Sequence, residues 1–195
     1  MQVESKPISA KLFILSGPSG VGKGTLLKRI LKSRPNAWLS VSATTRSPRP
    51  AEVEGVHYHF VSSQQFEEWI ENDGLLEWAK VHAGKYYGTP LQPVQQQLDL
   101  GNSVFLEIDT QGAFQVMKAV PEAVSIFISP PSIEVLEQRL TERGTESAEQ
   151  IAGRIALAEH EIAQQMRYNY QLVNDDLDDA TKELCRIVSA EEAAD

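Results

Sequence analysis

The stretch KLFILSGPSGVGKGTLLKRI, residues 11–30, decides the fold. Its first six residues form an apolar run that predicts a buried parallel strand, and apolar residues at helical spacing follow the glycine-rich segment. Four residues separate Gly17 from the pair Gly22-Lys23, which is the spacing of a phosphate-binding loop, or P-loop. Backbone N–H groups in such a loop converge on a phosphate, and the following helix adds its positive N-terminal end. The stretch therefore predicts a nucleotide phosphate site between a strand and a helix.

The loop departs from the common pattern at the residue after the lysine. That position usually carries Ser or Thr, whose hydroxyl binds Mg²⁺, but this chain has Gly24 there and Thr25 one place later. Because Mg²⁺ readily keeps several water ligands, we expect nucleotide oxygens and water-bridged carboxylates to hold the ion. We expect Thr25 to reach the α- or β-phosphate. The sequence thus predicts Mg²⁺ as cofactor and no residue as its direct metal ligand.

Composition limits the classes of partner. The chain has 195 residues, of which 42% are hydrophobic and 23% are charged, so it can bury an ordinary core. Its net charge of −9 argues against a broad nucleic-acid surface. The single Cys185 excludes an intrachain disulfide and a multi-cysteine metal site. Neither a signal peptide nor a run of ~20 apolar residues is evident, so we expect a cytoplasmic protein without a membrane partner.

Strands and helices alternate along most of the chain. Buried strands are predicted at 103–109, 124–129 and 170–174, with helical patterns between them. This alternation predicts an α/β fold with a parallel sheet and crossover helices. Residues 38–89 interrupt it with a strand-rich insertion, in which 43–55 reads as a loop. Thr89 and Pro90 are suited to begin the next helix, as N-cap and first-turn residue.

Further segments establish a resemblance to a known family. They are SVSATTRSPRP (40–50), EGVHYHFVS (54–62), LLEWAKVHAGKYYGT (75–89), FLEIDTQGA (105–113), PPSIEVLEQRLTERGTES (130–147) and VNDD (173–176). With the P-loop, and in this order, the chain resembles guanylate kinase from about residue 11 to 190.

The resemblance implies a P-loop kinase fold in a single domain, with a parallel β-sheet core flanked by helices. The expected parts are a core at about 11–37, 90–131 and 168–190, a small mixed β lobe that binds GMP at about 38–89, and a helical lid at about 132–167. The implied reaction transfers the γ-phosphoryl group of MgATP to GMP, and to dGMP, giving ADP and GDP. The implied partners are ATP and GMP, and the protein is expected to be a monomer or homodimer.

The GMP side is assigned residue by residue. Arg46 and Arg49 lie three apart in a proline-restricted loop, and two guanidinium groups there can make forked contacts to one phosphate. A lone pair of this spacing is usually solvated, but these arginines match the family's GMP-phosphate ligands. The other positions that match GMP-binding residues are Ser42, Tyr58, Glu77, Tyr87, Thr89 and Asp109.

Base selection has a physical explanation. A carboxylate can accept from guanine's two neighbouring N–H donors, whereas adenine presents an acceptor there and leaves the carboxylate unpaired. Glu77 and Thr89 match the family's guanine-reading positions, with Ser42 close by. Asp109 ends the strand FLEID and matches an aspartate near the ribose and the metal, while some relatives have Asp where this chain has Glu107.

The ATP side follows from the P-loop and from arginines farther along the chain. The expected ATP ligands are Gly17, Pro18, Ser19, Gly20, Val21, Gly22, Lys23, Gly24, Thr25 and Asn174. The expected catalytic residues are Lys23, Arg46, Arg139, Arg143, Arg154 and Asp109. No general base is required, because the acceptor phosphate is already an anionic nucleophile.

Two other functions are compatible with parts of the sequence. One is an inactive guanylate-kinase-like module that binds peptides in the former GMP cleft, although such modules usually have degraded nucleotide sites. The other is a kinase for a different phosphorylated acceptor such as a ribose phosphate. Glu77 together with Thr89 argues against the second, since a sugar phosphate needs no guanine-reading groups.

Overall fold

The computed structural model describes residues 9–81, 84–142, 144 and 147–194. Within these ranges the chain forms two sheets and seven helices. The strands are β1 (Leu12–Ser16), β2 (Ala37–Leu39), β3 (Ala43–Thr44), β4 (His59–Phe60), β5 (Leu75–Val81), β6 (Lys85–Pro90), β7 (Ser103–Glu107), β8 (Val124–Ser129) and β9 (Tyr170–Val173). The helices are α1 (Lys23–Ser33), α2 (Ser63–Glu71), α3 (Leu91–Asp99), α4 (Thr110–Ala119), α5 (Ile133–Glu142), α6 (Ala148–Ile162) and α7 (Leu177–Ala193).

The large sheet has the strand order β2-β7-β1-β8-β9, and every pair in it is parallel. β1 lies in the middle, and all five of its residues are buried. Phe13 lies opposite Phe105 in the register, and their rings stack 4.9 Å apart. A parallel strand covered on both faces needs apolar side chains in continuous sequence, which explains the run LFILS. The predicted α/β fold with a parallel sheet is confirmed.

Helices cover both faces of the large sheet. Because strand side chains alternate, Phe13 and Leu15 pack under α1 and α7, while Leu12 and Ile14 pack under α3 and α4. Each fully buried side chain of this size contributes roughly 1.5–3 kcal/mol to folding. The carboxyl ends of the strands are left uncovered at one edge, where ligands of such sheets bind.

The small sheet has the order β4-β3-β6-β5 and is mixed, since β3 runs parallel to β4 and antiparallel to β6. Two expectations are wrong here. Residues 43–55 are not all loop, because pairing with β6 makes Ala43–Thr44 a strand. Thr89 does not cap a helix: it lies in β6, and α3 begins after Pro90.

α5 and α6 form a separate helical pair over the P-loop side of the large sheet. Leu136 and Leu140 of α5 pack against Ile151 and Ala158 of α6. Ser147 caps α6, and Gln150 returns the bond to its backbone, so the α6 start is stabilised by a capping box. No helix in the described part of the chain is long and apolar enough to cross a membrane.

Candidate active site

A cavity of about 850 Å³ lies at the carboxyl edge of the large sheet. The P-loop forms one wall, and the end of β7 forms its floor. The segment 39–42 and the loop before β4 approach from the small sheet, and α6 closes the opposite side. The cavity thus lies where parallel α/β sheets bind their ligands.

The P-loop is held against its surroundings too tightly to accept side chains at two glycines. A Cβ on Gly17 would lie 2.1 Å from the carbonyl oxygen of Ile128 in β8. A Cβ on Gly22 would lie 2.5 Å from Nδ2 of Asn174. Both glycines have positive φ, 139° and 96°, which L side chains rarely adopt. At these two positions the loop can therefore present only its backbone.

Lys23 begins α1 and closes the loop on itself. Its Nζ donates to the carbonyl oxygens of Gly17 (2.6 Å) and Pro18 (3.1 Å). Burial lowers the pKa of Lys23, and the carboxylates of Glu107, Asp109 and Glu161 oppose that shift. The ammonium group is held at the cavity wall, in the place where an anion would lie against the loop.

The position after the lysine faces a carboxylate. A Cβ on Gly24 would lie 3.4 Å from Oε2 of Glu107, so the missing hydroxyl would have pointed toward this acid. Asp109 is fixed as the N-cap of α4, where its Oδ1 accepts from the Gly112 N–H at 2.8 Å. Burial raises the pKa of Glu107, and Lys23 lowers it. No group of three or more metal-ligating side chains lies together in the described ranges.

Arg46 is already held by several partners. Its Nη1 and Nη2 donate to the two oxygens of Glu52 at 2.6 and 2.7 Å, and Nε donates to the Tyr87 hydroxyl at 3.0 Å. The guanidinium lies 5.0 Å from the ring centre of Tyr58. The Arg46 hydrogen bonds lower the pKa of Glu52 to about 2, and Glu52 raises the pKa of Arg46. Arg46, Tyr58 and Tyr87 are thus brought together as expected.

Arg49 lies apart from this group. Arg49 is exposed, and its backbone N–H donates to Oε2 of Glu52 at 2.7 Å. It lines neither of the cavities that contain Tyr58. Sequence reasoning missed Glu52, whose only signal was a carboxylate in the same short loop as two arginines.

The expected base-reading pair is formed by the register of β5 and β6. Glu77 lies opposite Thr89, and the Thr89 hydroxyl donates to Glu77 Oε1 at 2.7 Å. Both residues are buried, with 8% and 1% of their surface exposed. Burial raises the pKa of Glu77 to about 7, and Asp109 adds to the shift.

This carboxylate opens into a second cavity of about 330 Å³, which Ser42, Tyr58, Tyr87 and Asp109 also line. Because Ser42, Tyr58 and Asp109 line the 850 Å³ cavity too, the two cavities are neighbours that share a wall. Together the two cavities extend from the Glu77 carboxylate to Lys23 of the P-loop.

A third cavity of about 410 Å³ lies on the outer side of the P-loop, and Thr25 lines it. Asn174 donates from Nδ2 to the carbonyl oxygen of Val21 at 2.7 Å. Arg139 donates to the carbonyl oxygens of Asn174 (3.0 Å) and Asp175 (3.3 Å). These contacts place Asn174 and Arg139 beside the loop, while the expected Arg143 lies outside the described residues.

α6 carries two polar groups into the site on one face. Arg154 donates to the Ser19 hydroxyl of the P-loop at 2.7 Å. Glu161, seven residues later, is only 7% exposed and lines the 850 Å³ cavity near Lys23. Burial raises the pKa of Glu161, and Lys23 lowers it. Sequence reasoning missed Glu161, whose only signal was its spacing of two helical turns from Arg154.

Comparison with known proteins agrees with this geometry. A family model described as guanylate kinase matches residues 9–191. A guanylate kinase of Synechocystis sp. is 48% identical over 98% of this chain and 100% of its own length. A guanylate kinase of Carboxydothermus hydrogenoformans is 51% identical over 92% of this chain and 88% of its own.

Two solved structures have a fold similar to that of this chain. The crystal structure of guanylate kinase from Anaplasma phagocytophilum superposes with a TM-score of 0.75 and 33% identity, covering 97% of this chain and 89% of the other. Shikimate kinase from Bacteroides thetaiotaomicron superposes with a TM-score of 0.51 at 13% identity, covering 91% of this chain and 98% of its own. The second likeness concerns the fold alone.

Proposed function

The chain belongs to the guanylate kinase family and is an ATP:GMP phosphotransferase, and from that premise we propose how its residues divide the work. GMP occupies the two neighbouring cavities between Glu77 and Lys23, and ATP lies along the P-loop with its nucleoside near Asn174. The observation that carries the assignment is the buried Glu77–Thr89 pair, because Glu77 lines the same cavity as Tyr58 and Tyr87. The hydroxyl of Tyr87 in turn accepts a hydrogen bond from Arg46.

Guanine selection depends on the ionised Glu77. Its carboxylate accepts from guanine N1–H and N2–H, and the Thr89 hydroxyl turns from Glu77 to the O6 carbonyl. An adenine ring would place its N1 lone pair against the carboxylate and leave buried polar groups unpaired. Such mismatches discriminate by far more than a lost methylene does.

The GMP phosphate contacts Arg46 and the two tyrosine hydroxyls. Glu52 holds the Arg46 guanidinium in a fixed plane against Tyr58, so little rotamer freedom is lost when the phosphate arrives. Arg49, three residues after Arg46 in the same loop, adds its charge when the loop closes over the nucleotide.

Phosphoryl transfer needs alignment and charge neutralisation and no general base, since the acceptor oxygen is already anionic. Lys23 neutralises the β- and γ-phosphates from the loop side. Arg154 reaches the same place from α6, and Arg139 reaches it from α5, with Arg143 expected beside it. We further propose that the small sheet and the α5–α6 pair close as separate bodies over GMP and ATP, which excludes water.

Mg²⁺ supplies charge neutralisation on the phosphates when it is bound. Glu107 and Asp109, whose carboxylates lie near Lys23, would hold the ion, because hard carboxylate oxygens suit Mg²⁺ and the water that it carries. We propose that the enzyme acts on free ATP and GMP in the cytoplasm.

A coupled ADP-release assay with a panel of acceptors tests this function. We expect turnover with GMP and dGMP, and little with AMP, UMP or ribose 5-phosphate. A reaction without acceptor gives the background of ATP hydrolysis. Turnover of ribose 5-phosphate or AMP in place of GMP would show that Glu77 does not read the base.

A further inference from the structure

β5, the strand that carries Glu77, lies at the edge of the small sheet. Its inner side pairs with β6, and its outer side has no strand neighbour in the described part of the chain. α4 of the large-sheet core lies along this outer side. The guanine-facing strand is therefore in contact with both bodies of the molecule.

Gln115 of α4 joins the helix to the edge of β5 by two hydrogen bonds. Its Oε1 accepts from the backbone N–H of Trp78 at 3.2 Å, and its Nε2 donates to the backbone carbonyl of Trp78 at 3.0 Å. One side-chain amide thus takes both the donor and the acceptor of the residue next to Glu77, as a neighbouring strand would.

The same face of α4 meets Glu77 itself. A Cβ on Gly112, one turn before Gln115, would lie 2.8 Å from Glu77 Oε2, so the helix backbone passes directly behind the carboxylate. Asp109, a further turn back, is the N-cap of this helix. Residues 109, 112 and 115 are spaced by three and share one face. One helix therefore positions both Asp109 and the strand carrying Glu77.

We propose that Gln115 is a positioning residue for guanine selection. By tying the Trp78 backbone to α4, it keeps Glu77 in register with Asp109 and the P-loop when the rest of the small sheet moves. This rests on the proposed role of Glu77 as the guanine-reading group. The geometry makes no demand on the ATP side, because α4 contributes no residue to the 410 Å³ cavity beside Asn174.

The test compares Gln115→Met, which keeps the length of the side chain but removes both hydrogen bonds, with Gln96→Met. Gln96 is exposed on α3, and its side chain makes no hydrogen bond among the described residues. Losing a pair of hydrogen bonds predicts a rise of roughly tenfold in KM for GMP. We expect kcat and KM for ATP to stay within about twofold of the parent, and Gln96→Met to match the parent.

Two readouts separate positioning from general damage. Hydrogen exchange of the peptide 75–81 should be faster in Gln115→Met, because the Trp78 N–H loses its acceptor. The pH at which GMP binding is half-maximal should fall, since water reaching Glu77 brings the pKa of its carboxyl back toward the ordinary value.

An unchanged KM for GMP, or an equal rise in both KM values, would overturn the role of Gln115. Absence of GMP phosphorylation by the parent enzyme would instead overturn the proposed function. The two failures are therefore distinguishable in one set of assays.

Discussion

The P-loop and the 330 Å³ cavity beside Glu77, which we call the monophosphate pocket, are built in opposite ways. The P-loop uses nine consecutive residues, 17–25, and presents backbone groups around one lysine. The monophosphate pocket uses side chains that lie between residues 42 and 109 and come from several strands and loops. The first depends on local chain geometry, and the second depends on how two sheets meet.

Lys23 of the P-loop and Arg46 also differ in the groups that their charges contact. Lys23 is buried among carboxylates and bonded only to backbone oxygens in the described ranges, so its charge is available to an arriving phosphate. Arg46 already has a bidentate carboxylate partner in Glu52. Lys23 therefore has no carboxylate hydrogen-bond partner among the described residues, whereas Glu52 fixes the orientation of the Arg46 guanidinium.

Removing the P-loop charge should have the largest effect. We expect Lys23→Ala to lower kcat roughly 10²- to 10³-fold, the range for losing one preorganised donor to a charged transition state. Circular dichroism should show an unchanged fold. Lys32→Ala, exposed in the last turn of the same helix, is the matched control. Undiminished turnover in Lys23→Ala would mean that the loop is not the phosphate site.

Replacing Arg46 with lysine keeps the positive charge but removes the forked guanidinium group, and it tests the side that binds GMP. We expect Arg46→Lys to raise KM for GMP roughly 30-fold, because an ammonium cannot make the fork to Glu52 and the bond to Tyr87 together. KM for ATP should not change. Arg186→Lys, on the surface of α7, serves as the control. An equal effect on both substrates would contradict the division between the two regions.

Gly112→Ala should disturb the pocket without harming the fold. The added Cβ would meet Glu77 Oε2 at 2.8 Å, and the flexible carboxylate can give way. Alanine otherwise favours a helix by roughly 0.5–1 kcal/mol over glycine, so the melting temperature should hold or rise. We expect KM for GMP to rise roughly tenfold, about the cost of displacing one hydrogen-bonding group.

Gly153→Ala is its control, because a Cβ there meets nothing within 4 Å. It should stabilise α6 and leave KM for GMP alone. Equal GMP kinetics in the two variants would show that α4 does not position Glu77.

The last effect concerns the stability of the fold and not substrate binding. The pKa of Glu77 is raised to about 7 in the folded protein, mainly by burial. The folded state therefore favours the protonated carboxyl, and this contribution is full below pH 4.5 and is lost as the pH rises through 7. Glu77→Gln does not titrate, so at pH 8 it should be more stable than the parent by at most about 3 kcal/mol, or roughly 6–12 °C.

At pH 4 the two melting temperatures should differ least. Glu122→Gln, on the surface, is the matched control. GMP binding should have the opposite pH dependence. It needs the ionised carboxylate of Glu77 and should weaken below about pH 7. A melting difference between Glu77→Gln and the parent that does not change with pH would count against the buried, raised-pKa carboxyl.

Sequence reasoning was accurate where neighbours along the chain define the structure. The strand at 124–129 is confirmed with the expected bounds. It was wrong at Thr89, whose propensity to cap a helix is overridden by pairing with β5. It was also wrong at Ala43–Thr44, because a two-residue strand has no periodicity and exists only through its partner.

The groups that were missed act only through contacts distant in sequence. Glu52 belongs to the site because it binds Arg46. Glu161 belongs to it because α6 brings this carboxylate near Lys23. Gln115 is an ordinary helix residue until the edge of β5 is placed beside it. The joint role of Arg46 and Arg49 in binding the GMP phosphate stays a prediction, although both residues donate hydrogen bonds to Glu52.

The amino-acid sequence by itself determined the P-loop, the alternation of strands and helices and the family to which the chain belongs. These depend on backbone conformation and on the period of apolar residues, which are local properties. Only the tertiary structure decided which carboxylates are buried, which are paired and which face the lysine. Desolvation and hydrogen bonding depend on groups brought together across the two sheets, and no spacing along the chain specifies that environment.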